Sequence, residues 1–156
     1  MLEEKKANVY IGSDHAGFDM KGQLHEFLET EGYDVVDLGC FTPESCDYPD
    51  IAREVGEKVV ENEGARGVLL CGSGIGMAMA ANKVRGIRAT VVTNEQMAEM
   101  SRRHNNANVV SLGAREIDFE TAKKALMKFL TTDFESEERH VRRVEKMDAI
   151  GISPKE

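Results

Sequence analysis

Cys71-Gly72-Ser73-Gly74-Ile75-Gly76 puts a thiol at the lip of a glycine-rich turn. The apolar run Gly67-Val68-Leu69-Leu70 precedes it, and Met77-Ala78-Met79-Ala80-Ala81-Asn82-Lys83 follows at helical spacing. Strand, glycine turn and helix together present backbone N–H groups to an anion. Donors of that kind beside a cysteine favour the thiolate, which serves as a nucleophile or a proton base. A cysteine at a strand end is equally a small buried hydrophobe, so both readings stand at this point. The glycine spacing is neither the GxGxxG of dinucleotide folds nor GxxxxGK[ST], which speaks against bound nucleotide phosphates. It suits a smaller oxyanion such as an enolate or enediolate. Ser73 adds a hydroxyl donor, caps the helix that follows, or does both.

Other polar groups have similar double readings. Ser13-Asp14-His15 follows an apolar run and is either a helix cap or part of a site. Arg102-Arg103-His104-Asn105-Asn106 fits a basic helix C-terminus, favourable to the macrodipole. Arg139 and Arg143 are four apart, so they share a helix face and either face solvent or grip a phosphate as a fork.

These groups need a scaffold, and the hydrophobic pattern supplies one. Strands are expected at 8–12, 33–38, 67–70, 87–92 and 108–112. Helices are expected after the first strand (Met20, Leu24, Phe27 and Leu28 share a face, and Gly32 stops it), then over 50–63, 77–83, 95–103, 119–130 and 137–147. Strict alternation of strand and helix implies a parallel sheet covered on both faces. Ligands in such sheets gather beyond the carboxyl ends of the strands. That rule collects Asp14, His15, Cys71, Ser73, Gly113 and Arg115, and leaves His104 and Asn105 at a helix end.

Bulk properties narrow the function. The chain has 156 residues, 20 basic and 28 acidic, for a net charge of −8. That length fits one domain spanning 1–156, with frayed ends at 1–6 and 151–156. An acidic balance argues against a broad nucleic-acid or membrane surface, although Arg139, His140, Arg142 and Arg143 form a local cationic cluster. No stretch is long and apolar enough to span a membrane, and the N-terminus lacks a secretory pattern. Three cysteines, Cys40, Cys46 and Cys71, without CxxC spacing argue against a disulfide framework and a zinc site. Free thiols and a cytoplasmic setting are the expectation, with Cys40 and Cys46 packed in a loop.

Together the motifs resemble the type B ribose-5-phosphate isomerases of the ribose/galactose-6-phosphate isomerase family. Ser13-Asp14-His15-Ala16-Gly17, Asp47-Tyr48-Pro49, Cys71 to Gly76, Ala80-Ala81-Asn82-Lys83, Gly86-Ile87-Arg88-Ala89, His104-Asn105-Asn106-Ala107-Asn108 and Arg139-His140 occur in the family's order. The resemblance implies a Rossmann-like α/β three-layer sandwich with a five-stranded, mostly parallel sheet and a C-terminal helix. It implies interconversion of D-ribose 5-phosphate and D-ribulose 5-phosphate through a cis-enediolate, with no cofactor and no metal. By similarity Cys71 is the proton-transfer base and His104 assists ring opening. Backbone from Gly72 through Gly74 and Ile75 to Gly76, with Ser73, holds the oxyanion. Asp14 and Asn105 contact the sugar, Tyr48 lies nearby, and His15, Arg115, Arg139 and Arg143 bind phosphate. The family works as homodimers, or dimers of dimers, with sites shared between subunits. An isomerase of a six-carbon aldose phosphate (allose or galactose 6-phosphate) is the alternative, and a non-catalytic sugar-phosphate sensor a further one. Retention of both Cys71 and His104 favours the pentose enzyme.

Overall fold

The computed structural model describes residues 4–151, so residues 1–3 and 152–156 of the expected frayed ends lie outside the described residues. Five strands, β1 (Val9–Ser13), β2 (Val35–Asp37), β3 (Arg66–Cys71), β4 (Ala89–Val91) and β5 (Val109–Gly113), form one sheet in the order β2-β1-β3-β5-β4. Every neighbouring pair is parallel. Six helices follow the strands: α1 (Phe18–Thr30), α2 (Tyr48–Glu61), α3 (Ile75–Ala81), α4 (Glu95–Arg103), α5 (Phe119–Thr131) and α6 (Glu138–Asp148). Among the described residues, no helix is long and apolar enough to cross a membrane.

The continuous apolar runs of β3 and β5 follow from burial on both sides. Val68, Leu70, Val110 and Leu112 point into a core shared with Leu24 and Leu28 of α1 and with Ala122, Leu126 and Phe129 of α5. Alternate residues Leu69, Cys71 and Val109 face the other way, against Ala52, Val55 and Val59 of α2 and Met77 and Ala81 of α3. Cys71 therefore starts as a core residue, at the point where β3 leaves the sheet.

Element boundaries differ from the sequence expectation where a local device overrides periodicity. α3 begins at Ile75, two residues earlier than its apolar spacing suggests, because Gly74 at its N-cap takes φ 79°. α2 begins at Tyr48, with Pro49 in its first turn where a missing N–H costs nothing. β2 and β4 are only three residues each, being the two edges of the sheet with one partner apiece.

One expectation is corrected. Cys40 and Cys46 are joined as a disulfide, and Cys71 is the free thiol. The segment between β2 and α2 folds back on itself, so positions six apart in sequence meet, which spacing rules for separate elements do not anticipate.

The buried ammonium of Lys21, 2% exposed, fixes this corner. Its Nζ donates to Asp37 Oδ1 at 2.9 Å and to the Cys40 carbonyl. The Asp37 carboxylate in turn accepts the Gly39 N–H at 2.8 Å. Removing one member of a buried pair strands the other, so Lys21→Ala is expected to lower the unfolding free energy by about 3 kcal/mol in urea titration, the low end for such pairs because Asp37 is partly solvated.

Candidate active site

β1 and β3 are neighbours, but the chain leaves β1 for β2 on one side and returns to β3 on the other. This reversal opens a crevice at their carboxyl ends. Asp14 lies at one wall, 8% exposed, with its backbone N–H bonded to Leu70 O at 3.1 Å. Its Oδ1 accepts the Gly17 N–H at 3.1 Å, which folds the turn tightly. Gly17 is required there, since a Cβ would sit 2.7 Å from Leu70 Cβ and 2.8 Å from Leu70 O. His15 stands exposed beside Asp14.

Cys71 forms the opposite wall, 6% exposed. The Gly74 N–H donates to its Sγ at 3.1 Å, so the turn folds around the sulfur. The left-handed backbone of Gly74 makes this possible, and a Cβ there would come within 3.0 Å of the Leu112 carbonyl carbon. The buried Ser111 hydroxyl donates to Gly74 O at 2.6 Å and pins the next peptide plane. Ser73 Oγ accepts the Ile75 N–H at 3.2 Å, a local turn bond that leaves its hydroxyl proton free to donate elsewhere, and α3 has no side-chain cap. Arg115 N–H bonds Gly72 O at 3.0 Å, and its guanidinium lies across Gly72, 3.2 Å from where a Cβ would project. Tyr48 closes the turn from the other side, its Cζ 2.8 Å from the point a Cβ on Gly76 would occupy. Asp14, His15, Tyr48, Cys71, Gly72, Ser73, Gly74, Ile75, Gly76 and Arg115 thus gather at one end of the sheet.

The remaining expected residues gather elsewhere. α4 runs back from the carboxyl edge of the sheet, and its last turn leads to Asn108, whose carbonyl accepts the Gly67 N–H at the start of β3. His104 caps α4 there. Its ring stacks on His140 of α6, with centroids 4.7 Å apart and planes within 9°. Glu135 holds the pair together: its carboxylate accepts from Arg103 Nε at 2.6 Å and lies 3.9 Å from His104 Nε2 and 3.7 Å from His140 Nε2. The Arg103 hydrogen bond keeps Glu135 below the usual carboxylate range. Nε2 of His140 is buried without a hydrogen-bond partner among the described residues. Arg139 and Arg143 rise from α6 into solvent, and Asn105 lines a cavity of about 620 Å³ with Ile87, Arg88 and Met147. This end also holds Arg102, 4% exposed, which burial and the nearby charges of Arg66 and Arg88 push down to about 10.

One chain therefore carries the expected residues in two clusters at opposite ends of its sheet. β3 has six residues and is about 17 Å long, more than any pair of side chains bridges. Ser111, Glu135 and Lys21 are supporting residues that motif reading missed. Ser111 alone had a signal, a hydroxyl inside the apolar run Val109-Val110-Ser111-Leu112.

The chain is similar to known proteins over most of its length. The model of the Ribose/Galactose Isomerase family matches residues 9–147. The probable ribose-5-phosphate isomerase B of Mycoplasma genitalium is 42% identical over 142 residues, covering 90% of this chain and 93% of that one. The solved type B ribose 5-phosphate isomerase of Trypanosoma cruzi superposes with a TM-score of 0.88 at 46% identity, over 92% of this chain and 97% of that one. Ribose-5-phosphate isomerase B of Mycoplasma genitalium, solved with bound ribulose-5-phosphate, gives a TM-score of 0.89 at 40% identity, over 93% and 96%.

Proposed function

Since the chain belongs to the ribose/galactose isomerase family, we propose that it interconverts D-ribose 5-phosphate and D-ribulose 5-phosphate with the half-sites of two copies. The observation that carries this reading is the free thiol of Cys71 in hydrogen-bond contact with the Gly74 N–H, at the sheet's ligand-binding end. A homologue solved with ribulose-5-phosphate supports the substrate.

The cyclic aldose first opens. His104 of a second copy donates a proton to the ring oxygen as the anomeric hydroxyl gives up its own, leaving the C1 aldehyde; an imidazole suits that exchange. Asp14 orients the sugar near the ring oxygen, and Asn105 of the second copy holds a hydroxyl. Cys71 as thiolate then removes the C2 proton, and the electron pair moves toward O1 to form a cis-enediolate. The Ile75 N–H is already held by Ser73, so it is the N–H groups of Gly76 and Met77, with the Ser73 hydroxyl, that stabilise the charge developing on oxygen. The thiol returns its proton to C1 while the O2 proton passes to O1, giving the ketose. Carbon skeleton and electron count are unchanged, so the reading calls on no metal or cofactor. His15 and Arg115 of one copy, with Arg139 and Arg143 of the other, tether the phosphate and hold C1 and C2 against the sulfur.

A homodimer satisfies this geometry, because a two-fold axis presents each half-site to the other twice. Ile75 and Met79, 56% and 64% exposed on the helix that starts at the turn, support a contact with another copy. A phosphorylated sugar is charged and stays in the compartment that makes it, which supports a cytoplasmic setting.

Two variants separate the chemical steps. Cys71→Ala is expected to cut ketose formation by about 10³-fold or more, within the range for a lost proton-transfer group, while calorimetry still detects ribose 5-phosphate binding. Turnover near the native rate rejects the thiolate base. His104→Asn is expected to slow conversion of ribose 5-phosphate to the rate at which free aldehyde forms in solution. Initial rates from ribulose 5-phosphate, which has no furanose ring to open, should stay within a few-fold. An equal loss with both substrates removes His104 from ring opening.

A further inference from the structure

We propose that Cys40 and Cys46 form a reversible redox site that tethers the Tyr48 wall of the active site, an inference that rests on the isomerase reading above. The two ends of this disulfide differ in anchorage. Cys40 is 7% exposed and fixed to the crevice: its N–H donates to Ser13 O at 2.7 Å, and the Ser13 N–H donates to Gly39 O at 2.7 Å. The Lys21 ammonium holds its carbonyl as well. Cys40 is thus hydrogen-bonded to Ser13, the residue directly before Asp14.

Cys46 has no comparable anchorage. It is half-buried, and residues 41–45 between the two cysteines are all exposed. It directly precedes Asp47 and Tyr48, the start of α2. Asp47 occupies the N-cap position but makes no capping bond through its side chain. Side-chain caps fix only the starts of α4 and α5, where Asn94 and Asp118 accept from Met97 and Thr121; α2, like α1, α3 and α6, has none. At α2 a covalent link to Cys40 lies directly before the helix start. It ties the residue whose ring covers Gly76 to the opposite wall of the crevice.

Exposure orders the chemistry. In oxidation, the Cys46 thiolate attacks the disulfide of a small oxidised thiol such as glutathione disulfide, releasing one thiol and forming a mixed disulfide. The Cys40 thiolate then attacks the Cys46 sulfur and releases the second thiol. Two electrons and two protons pass from the cysteine pair to the small disulfide. Reduction reverses both steps. Oxidised, the loop holds Tyr48 over the glycine turn. Reduced, the start of α2 is free to move, and substrate must order it on binding, a cost that appears in KM.

The test uses the full chain equilibrated in glutathione buffers from fully reduced to fully oxidised. Alkylation of the denatured protein followed by mass measurement counts free thiols. All three cysteines should label in the reduced state and one, Cys71, in the oxidised state. On reduction, KM for ribose 5-phosphate is expected to rise about fivefold with a smaller change in kcat. Amide exchange over residues 46–52 should speed up by about tenfold. Cys46→Ser should show the reduced KM in every buffer, and because Cys71 is intact there, any response it keeps belongs to Cys71. Three labelled thiols in oxidised buffer overturn the proposal, as does an unchanged exchange rate once the pair is oxidised, or a KM response that survives in Cys46→Ser. Absence of ketose in both states rejects the isomerase reading instead, while thiol counting and amide exchange still decide the fate of the tether.

Discussion

Direction in a parallel sheet is the constraint on which everything else depends. Every strand delivers its carboxyl end to one side, and each helix that connects two strands returns its C-terminus to the other. Cys71 ends β3, so its turn opens on the first side. His104 ends α4 and stacks on α6, so the histidines and the arginines of α6 lie on the second. Rearranging side chains cannot bring these groups together within a chain. On the proposed reading a second copy does so, which would make association part of the chemistry rather than an accessory to it.

The thiol site itself is held by packing more than by charge. Cys71 shares its face of β3 with Leu69, in a core where each buried aliphatic side chain contributes about 1.5–3 kcal/mol. The turn beyond it is set by contacts that exclude side chains: Gly17 against Leu70, Gly74 against Leu112 and Gly76 against Tyr48. Ser111 then fixes the one carbonyl whose rotation would turn an N–H out of the crevice. On the proposed reading, backbone held this way around the Cys71 sulfur would keep the donors aimed before substrate arrives, so that a barrier is lowered without reorganisation during the reaction. The half-site at the other end is built differently. Arg103, Glu135, His104 and His140 form a polar cluster around one carboxylate, with His140 buried and the other three partly exposed.

Much of this was legible in the residues. Alternation of apolar runs with amphipathic segments predicted the parallel sheet and all eleven elements, with boundaries shifted by one or two residues. The Cys71 turn was legible because glycine carries a conformational message that survives without coordinates: Gly74 does take a left-handed backbone. His104 and Asn105 were placed apart from the strand-end residues by the same strand-direction rule, and the structure keeps them apart. What spacing could not convey were contacts made across the fold. The Cys40–Cys46 link depends on a loop doubling back, Lys21 on burial of a charge in a helix that otherwise reads as amphipathic, and Glu135 on the approach of α6 to α4. Each is decided by tertiary proximity, which periodicity does not encode.

A mixing experiment tests the shared site most directly. Cys71→Ala and His104→Asn chains are unfolded together, refolded at equal concentration and assayed with ribose 5-phosphate. If each site takes its thiol from one copy and its histidine from the other, half the dimers are mixed and each has one intact site, so about a quarter of native activity returns. Activity that stays at the average of the two parent variants, with mixed dimers demonstrated by mass, would contradict the account.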